Sequence, residues 1–228
     1  MKHIVVLTGA GMSAESGIAT FRDSGGMWEQ YSVEEVATPE GFRKNPQLVL
    51  DFYNARRKAA FDAKPNDGHI GLAEMEKEYK VSIITQNVDN LHERAGSTRV
   101  LHLHGELDKV RSTADPSLIY TLTSDNSEIH LGDKCEKGSQ LRPHIVWFGE
   151  AVPMIEEAIK IVQIADILVV IGTSLNVYPA AGLLNYVQQD TPIFLIDPNE
   201  VKAYIPGIHF IKKGASEGVA ELREKLRF

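Results

Sequence analysis

The chain has 228 residues, 43% of them hydrophobic, so it is long enough to bury a sizeable core. A net charge of −7 and a pI near 5.6 argue against a nucleic-acid binder, which would carry a basic surface. No apolar stretch approaches the roughly 20 residues that span a membrane, and the N-terminal apolar run is too short for a signal peptide. Because Cys135 is the single cysteine, an internal disulfide and a four-cysteine metal site are excluded, and a cytoplasmic location is expected.

Short β-branched runs predict the strands of a parallel sheet. Their near-continuous apolar character suits strands that are buried on both faces. They lie at 4–9, 81–87, 100–105, 144–149, 167–173 and 192–197. Helical patterns at 67–79, at 153–165 and from Ser216 onward alternate with them, which predicts a doubly wound, Rossmann-like α/β fold. In such folds ligands bind beyond the carboxyl ends of the strands, where T-G-A-G, T-Q-N, L-H-G and I-G-T-S stand here.

Two stretches interrupt this alternation and predict a smaller module built from insertions. Residues 24–64 show helical patterns and no strand. Residues 111–143 are polar and turn-rich, with two short candidate strands at 117–123 and 128–131. We therefore expect one catalytic domain over 1–228, and its parts are assigned in chain order. The Rossmann-like part comprises 1–23, 65–110 and 144–228, and the small module comprises 24–64 and 111–143.

The first predicted strand runs into a glycine loop, T-G-A-G-M-S-A-E-S-G. Glycines at 9 and 11 permit a tight turn and a close backbone approach to a ligand, and a helix starting near Ser13 would offer N–H groups to a pyrophosphate. The spacing is neither G-x-G-x-x-G nor a P-loop, and no acidic residue of the usual Rossmann kind ends the second strand. Hydride transfer is therefore not favoured, and a purely structural turn is equally compatible with this loop.

Five motifs occur in a fixed order along the chain. They are T-G-A-G-M-S-A-E-S-G-I-A-T-F-R-D at 8–23, T-Q-N-V-D at 85–89, L-H-G-E-L at 103–107, V-W-F-G-E at 146–150 and G-T-S at 172–174. Together they resemble the sirtuins, the NAD-dependent protein-lysine deacylases, and the likeness covers roughly residues 4 to 220. The resemblance implies that the chain transfers acyl groups from protein lysines to the ADP-ribose of NAD. The products would be nicotinamide and O-acyl-ADP-ribose.

This chemistry uses a histidine as general base on a ribose hydroxyl, and two histidines are candidates for that role. His102 and His104 are two residues apart on the strand predicted at 100–105, so they share one face. Histidine titrates near neutral pH without help from its surroundings. The family pattern places the base immediately before the glycine, which selects His104. For His102 we expect a satisfied core histidine.

The resemblance also implies a set of NAD contacts. Phe21 would screen the reactive ribose carbon, Arg22 would meet phosphate, and an aspartate at 197, where the family often has asparagine, can still accept from ribose hydroxyls. The cofactor-binding residues implied are Gly9, Ala10, Gly11, Ser13, Ala14, Thr20, Phe21, Arg22, Trp28, Gln86, Asn87, Asp89, His104, Gly172, Thr173, Ser174, Asp197, Asn199 and Ala215.

The substrate is expected to be acylated lysine within an extended peptide. In the family such a peptide adds as a strand between V-W-F-G-E and the segment at 172–177, and main-chain pairing supplies affinity with little sequence choice. The implied contacts are Val146, Trp147, Phe148 and Gly149. Trp147 as a plain core aromatic is the open alternative. No nucleic-acid or membrane partner is expected.

Most sirtuins hold a structural zinc with two C-x2-C pairs, and this chain departs from that pattern. Ser112 stands at the first expected cysteine position, and the second pair retains only Cys135, with His130 nearby. Zinc takes about four nitrogen or sulfur ligands, so we expect no metal. The candidate strands at 117–123 and 128–131 would then pair with each other and hold the module.

The sequence F-Y-N-A-R-R at 52–57 sits in a predicted helix. Numbered from Asn45 at about 100° per residue, the helix places Leu48, Phe52, Ala55 and Ala59 on a core stripe and Val49, Tyr53, Arg56 and Ala60 on a second stripe. Arg57 lies opposite the core stripe and is expected to face water.

Tyr53 and Arg56 are one helical turn apart, so their side chains can converge. A subgroup of sirtuins carries Y-x-x-R in this helix. There the hydroxyl and the guanidinium bind the carboxylate of succinyl-, malonyl- or glutaryl-lysine, a role for which a forked cation is suited. The resemblance thus assigns Tyr53 and Arg56 to the acyl pocket. An ordinary exposed arginine at 56 is the alternative.

Two rival functions stay open from the sequence. One is mono-ADP-ribosyl transfer on the same NAD site, and the other is a non-enzymatic NAD-binding protein. The His104 base favours deacylation over the first, and the presence of Asn87, Asp89 and His104 together argues against the second, because binding alone needs no base.

Overall fold

A computed structural model describes residues 1–19, 30–200 and 207–227 of the chain. The strands of these ranges are β1 (His3–Thr8), β2 (Lys80–Thr85), β3 (Val100–His102), β4 (Gly105–Ser112), β5 (Ile119–Thr121), β6 (Leu141–Ile145), β7 (Ile167–Ile171), β8 (Ile193–Ile196) and β9 (His209–Ile211). The helices are α1 (Gly11–Ala14), α2 (Val33–Val36), α3 (Pro39–Lys44), α4 (Pro46–Asp62), α5 (Asp67–Met75), α6 (Leu91–Arg94), α7 (Ile155–Gln163) and α8 (Ala215–Lys225), with a 3₁₀ helix at Ala180–Tyr186.

The larger sheet has the strand order β3-β2-β1-β7-β8-β9, and every neighbouring pair is parallel. Strands β1, β7 and β8 are buried at every position, as their apolar sequences require. One apolar core lies between the sheet and helices α5 and α8, and a second lies between the sheet, α7 and the 3₁₀ helix. The predicted Rossmann-like α/β fold is thereby confirmed.

The smaller sheet is antiparallel, with the order β5-β4-β6. It corrects two predictions. The apolar run at 144–149 is not a strand of the parallel sheet, because β6 ends at Ile145 and pairs with β4. Residues 128–131 form no strand, and β5 pairs with β4 instead of with them. Strand β4 was missed because its sequence, G-E-L-D-K-V-R-S, alternates buried and charged positions rather than forming an apolar run.

Helix α4 packs on the smaller sheet, and its burial corrects the predicted core stripe. Ala55 and Ala59 are exposed, whereas Val49, Tyr53 and Ala60 of the second stripe are buried. The helix is covered on two sides, because Tyr53 packs against Leu107, Ile145 and Trp147 while Leu50 packs against Val110 and Ile129. Small alanines add little burial energy and so fix no helix face by themselves.

Arg57 was expected to face water, and this prediction is wrong, since the side chain is fully buried. Its Nε donates to the carbonyl of Leu107, and its Nη1 donates to Asn54 Oδ1 and to the carbonyl of Ser127, both at 2.8 Å. These acceptors compensate part of the loss of water around the guanidinium, since the buried Nη2 has no partner among the described residues. Burial lowers the pKa of Arg57 to about 10, so the group is still a cation at neutral pH.

Candidate functional site

The candidate site lies at the carboxyl ends of β1, β2 and β7. Two loops meet there, because Gly9 N–H donates to the Ile171 carbonyl at 3.0 Å and Gly11 N–H donates to the Gly172 carbonyl at 2.9 Å. A Cβ at Gly9 would lie 2.7 Å from Thr173 Cβ, and one at Gly11 would lie 2.6 Å from Gly172 Cα. The glycines are therefore required for the approach of one loop to the other, as in the structural turn that the sequence left open, and their approach to a ligand stays a prediction.

Helix α1 begins at Gly11 rather than near Ser13 and contains only four residues. The N–H groups of Met12 and Ser13 donate to the carbonyls of Gly9 and Ala10, at 2.9 and 3.1 Å. The N–H groups of residues 11–13 are thus paired within the protein in this structure, and a contact of this helix start with a pyrophosphate stays a prediction. Ala10 and Ala14 lie in the same turn.

Three predicted residues form one buried cluster beneath the glycine loop. Asn87 Nδ2 donates to the Gly9 carbonyl at 3.0 Å and to Ser13 Oγ at 3.1 Å. Ser13 Oγ donates in turn to Asp89 Oδ2 at 3.0 Å, and Asp89 Oδ1 accepts from the Leu91 N–H at 3.1 Å. Burial raises the pKa of Asp89, and its hydrogen bonds to Leu91 and Ser13 oppose that rise. The cluster fixes an amide and a carboxyl group side by side at the end of β2.

His104 follows β3 and has a defined hydrogen-bond partner. Its Nδ1 lies 3.1 Å from the Gln86 carbonyl, which can only accept, so Nδ1 carries the proton and Nε2 is left as the basic nitrogen. Burial lowers the pKa of His104, which keeps the ring neutral at pH 7. Gln86 Nε2 donates to Thr173 Oγ1 at 3.2 Å and so links this region to β7.

His102 behaves differently, as the sequence predicted. Its Nδ1 lies 3.0 Å from the Asn87 carbonyl and its Nε2 lies 2.8 Å from Glu93 Oε1. Burial alone would lower the pKa of His102, but the bond to Glu93 and its charge outweigh burial and raise the pKa. Both ring nitrogens are thus used structurally, and His104 is the histidine with the chemistry of a base.

The remaining predicted cofactor residues are spread along the same sheet edge. Gly172 has a φ of +62° and, with half-buried Ser174, continues the loop after β7. Asp197 follows β8, and its Oδ1 accepts from the Asn199 N–H at 2.8 Å. Ala215 is buried as the first residue of α8. The predicted residues Thr20, Phe21, Arg22 and Trp28 lie outside the described residues.

Tyr53 and Trp147 form a hydrogen-bonded aromatic pair. Both are buried, and Trp147 Nε1 donates to Tyr53 Oη at 3.1 Å. The Arg142 guanidinium carbon lies 3.5 Å from the centroid of the Trp147 ring. Glu150 holds that guanidinium through two contacts, at 2.7 and 3.1 Å. Trp147 therefore has the environment of a core aromatic, and its indole N–H orients the phenol.

Arg56 lies beside Tyr53 on the same helix. Its guanidinium carbon is 5.6 Å from the ring centroids of both Phe52 and Tyr53. Burial lowers the pKa of Arg56, while the charge of Asp89 and a hydrogen bond to Tyr53 favour the cation. Burial raises the pKa of Tyr53, so its hydroxyl is protonated at neutral pH. A protonated phenol and a guanidinium thus converge on the side of the helix that faces Asp89.

The backbone of the segment 146–149 is largely committed to the protein itself. Val146 N–H donates to the His104 carbonyl at 2.9 Å, Trp147 N–H donates to Glu150 Oε2 at 2.8 Å, and Phe148 N–H donates to the Ala37 carbonyl at 3.0 Å. Phe148 is exposed, and Gly149 has a φ of +89°. A peptide strand that adds here would therefore meet carbonyl groups of this segment rather than these three N–H groups.

Within the described ranges, no group of three or more His, Cys, Asp or Glu side chains is arranged to hold a metal ion. Cys135 Sγ instead donates to Ser112 Oγ at 3.2 Å, so the two positions compared with zinc cysteines do face each other. None of the helices in the described ranges has an apolar stretch long enough to cross a membrane.

The sequence reading missed several polar residues that surround the site. They are Thr8 and Thr85, whose hydroxyls bond at 2.8 Å, and the buried His69 and His92. His92 lies three residues after Asp89 in N-L-H-E-R, which is the one local signal that could have drawn attention to it. Partners such as Thr8 are about 80 residues away along the chain, so no spacing reveals them.

The parallel sheet, the glycine loop and the neutral histidine define an α/β protein with a nucleotide-type site at its carboxyl edge. The chain belongs to the Sir2 family, whose model matches residues 9–179. It is 60% identical over 230 residues to an NAD-dependent protein deacylase of Bacteroides thetaiotaomicron, covering 99% of this chain and 98% of that protein. It is 55% identical over 227 residues to one of Helicobacter pylori strain 26695, covering 99% and 98%.

Solved structures agree with this membership. A crystal structure of a Sir2 homologue–NAD complex is 42% identical to the chain, with a TM-score of 0.89, over 99% of this chain and 90% of that one. A structure of Sir2 bound to acetylated peptide is 30% identical, with a TM-score of 0.80, over 98% and 93%.

Proposed function

We propose that this chain removes succinyl and malonyl groups, and also acetyl groups, from protein lysines. NAD-dependent protein deacylation as the class of activity follows from membership of the Sir2 family and from relatives of that name at 55% and 60% identity. The acidic acyl preference rests on one observation, which is the convergence of Tyr53 and Arg56 on one side of α4. A cytoplasmic location stays a prediction.

The donor set at the carboxyl edge of the sheet fits NAD. Ribose hydroxyls and a carboxamide need partners that both donate and accept, and Gln86, Asn87, Thr173 and Asp197 offer amide, hydroxyl and carboxylate groups there. NAD supplies, when bound, a ribose carbon that accepts the acyl oxygen as nicotinamide leaves. Asp89 lies 3.0 Å from Ser13, buried and fixed in place, so it can accept from the carboxamide without reorganisation.

His104 is proposed as the general base. Its Nδ1–H is committed to the Gln86 carbonyl at 3.1 Å, which sets the tautomer and leaves the Nε2 lone pair to take a proton from a ribose hydroxyl. The lowered pKa keeps Nε2 unprotonated at neutral pH. The Gln86 carbonyl also stabilises the ring after it has accepted that proton, because the Nδ1–H···O bond strengthens with the positive charge.

Tyr53 and Arg56 are proposed to bind the carboxylate at the tip of the acyl group. The phenol oxygen accepts from Trp147 Nε1 at 3.1 Å, so its own proton is directed elsewhere and suits a carboxylate oxygen. Arg56 supplies a forked cation in a partly dehydrated setting, where a charge-assisted hydrogen bond is stronger than in water. An acetyl group ends in a methyl and makes neither contact.

The test compares desuccinylation and deacetylation by the same variants. Arg56→Met removes the cation and keeps much of the side-chain volume, so kcat/KM for a succinyl-lysine peptide should fall by about 100-fold, equivalent to about 3 kcal/mol of charge-assisted bonding. Deacetylation should change less than about threefold by the same reasoning. Tyr53→Phe keeps the ring packing and should cost desuccinylation about tenfold.

Lys58→Met is the matched control, because Lys58 is exposed on the same helix. Equal losses on both peptides in Arg56→Met would overturn the assignment of the acyl preference. Thermal melting of each variant separates a folding defect from a change in specificity.

Mass spectrometry of wild-type reactions separates the rival functions. Deacylated peptide together with O-acyl-ADP-ribose supports deacylation. ADP-ribosylated protein supports mono-ADP-ribosyl transfer on the same NAD site, and unchanged NAD supports a binding protein.

A further inference from the structure

A line of buried polar groups runs beneath the glycine loop from α6 to the end of β2. His92 Nε2 lies 3.1 Å from Thr8 Oγ1. The Thr8 hydroxyl donates to Thr85 Oγ1 at 2.8 Å, and Thr85 Oγ1 also accepts from the Asn87 N–H at 3.0 Å. Both threonines are fully buried. The ring of His92 is therefore connected to the backbone of Asn87 through two hydroxyl groups.

The orientation assigned to these hydroxyl groups gives one tautomer for His92. With the Thr8 hydroxyl donating to Thr85, Thr8 Oγ1 accepts from His92, and the imidazole proton stands on Nε2. Burial lowers the pKa of His92 well below its ordinary value, so the ring is neutral at pH 7. Its Nδ1 is then an acceptor.

His69 packs against His92, and its Nε2 is a donor where Nδ1 of His92 is an acceptor. The rings meet edge to face, with centroids 4.8 Å apart. The Asn66 N–H donates to His69 Nδ1 at 3.2 Å, and burial lowers the pKa of His69 to about 4, so its proton stands on Nε2. In the described part of the chain neither His69 Nε2 nor His92 Nδ1 has a protein partner, although both are buried. No hydrogen bond joins these two nitrogens, so the rings meet through their edge-to-face contact.

At both ends of this line of polar groups, an asparagine side chain donates hydrogen bonds to the glycine loop. Asn66 Nδ2 donates to the Met12 carbonyl at 2.9 Å and to Ser16 Oγ at 3.1 Å. At the other end Asn87 Nδ2 donates to the Gly9 carbonyl and to Ser13 Oγ. The two histidines therefore bridge the two asparagines that hold the glycine loop at its start and its end.

We propose that His69 and His92 are positioning residues for NAD binding: in edge-to-face contact and each protonated on Nε2, they hold Asn87 and the glycine loop in register. This inference rests on the proposed contact of Asn87 with NAD. If the two rings only filled space, their tautomers would be indifferent and an apolar ring would replace either of them.

The first test reads the tautomers directly. Long-range ¹H–¹⁵N NMR spectra of the full chain at pH 7 should show His69 and His92 neutral and protonated on Nε2. A proton on Nδ1 of either ring would overturn the proposal, because His92 would then no longer donate to Thr8, or His69 would no longer accept from the Asn66 N–H. This measurement needs no activity, so it stands whether or not the proposed acyl preference is correct.

The second test reads the cofactor site. His92→Phe keeps the ring and removes both nitrogens, so the KM for NAD should rise by about tenfold, while the KM for the acyl peptide stays within about twofold. His92→Gln places an amide N–H toward Thr8 and should recover most of the loss. Thr85→Val removes the next hydroxyl of the line without a change of shape, so it should raise the KM for NAD in the same way.

His3→Phe is the matched control. His3 is a buried histidine at the other end of β1, and its Nε2 lies 2.9 Å from Ser82 Oγ on β2. It makes the same kind of ring–hydroxyl contact, here between β1 and β2 and away from the glycine loop. Equal destabilisation in the two histidine-to-phenylalanine variants, with the KM for NAD unchanged in both, would reduce the pair to structural filler and overturn the proposal.

Discussion

The two sheets of this molecule differ in how much apolar burial and how much polar contact contributes to the stability of each. The parallel sheet buries strands such as β1 and β7 on both faces between two apolar cores, so its stability comes mostly from area removed from water. The antiparallel sheet packs on α4 through two smaller apolar clusters, one around Tyr53, Leu107, Ile145 and Trp147 and one of Leu50, Val110 and Ile129. With less apolar area to bury, it depends more on buried polar contacts, because a buried polar group without a partner costs free energy.

Side chains of helix α4 make those polar contacts. Asn54 Nδ2 donates to the Ile129 carbonyl at 2.9 Å, and Asn54 Oδ1 accepts from the Ile129 N–H at 3.1 Å. Arg57 adds bonds to Leu107 on β4 and to Ser127. In this way one turn of helix fastens the segment at 127–129, which pairs with no strand, to the rest of the small module.

The largest effect is expected from Arg57→Met. The substitution keeps much of the length of the side chain but leaves the carbonyls of Leu107 and Ser127 buried without these donors. At about 1–3 kcal/mol for each unsatisfied group, the free energy of unfolding should fall by about 3–5 kcal/mol. Urea unfolding of the purified chain measures it.

The neighbouring Lys58→Met is the control for this variant, because Lys58 is exposed and its loss should change stability by less than about 0.5 kcal/mol. Arg57→Lys keeps the charge but not the fork, so it should recover only part of the loss. If Arg57→Met costs less than about 1 kcal/mol, the polar contacts are dispensable. The small sheet would then depend on polar contacts no more than the large sheet does.

A smaller effect is expected in the apolar core of the parallel sheet. A Cβ at Gly218 of α8 would overlap Ile196 Cγ2 of β8, and a β-branched side chain has little freedom to move aside. Gly218→Ala should therefore destabilise the chain by about 1–3 kcal/mol through overpacking, partly offset by the better helix propensity of alanine.

Ala220→Gly, at an exposed position of the same helix, measures the propensity contribution by itself. The double variant Gly218→Ala with Ile196→Ala should be less destabilised than the sum of the single variants by about 1 kcal/mol, because the cavity receives the new methyl group. Strict additivity would show that the two side chains do not compete for space, contrary to the packing described.

The same contrast explains what could be predicted from the sequence. Strands buried on both faces have an apolar run in their sequence. The boundaries of β1, β2, β7 and β8 were therefore predicted to within about two residues. Strand β4 alternates with charged residues, and Arg57 finds its acceptors 50 and 70 residues away, so neither leaves a local pattern.

The residues of the candidate site could be predicted from the sequence only in part. His104 was selected because a family motif fixes its position, and its Nδ1 bond to Gln86 gives that choice a physical basis. His92 and Thr8 were missed, because their contact joins residues 84 positions apart. A buried polar network is specified by the fold as a whole, and a single sequence shows only its members.

The smallest effect is expected from chelation. It tests whether polar contacts, rather than a metal, stabilise the small sheet at the position where most sirtuins carry zinc. In a module folded around zinc, removal of the metal takes away stabilisation that is part of the folding free energy. Here Cys135 Sγ meets Ser112 Oγ at 3.2 Å, and the contacts of Asn54 and Arg57 hold the neighbouring segment. A strong chelator should therefore change neither the melting temperature nor the rate of deacylation. Metal analysis of the purified chain provides the control, since stoichiometric zinc, lost together with the fold on chelation, would mean that a metal rather than this polar network holds the small sheet.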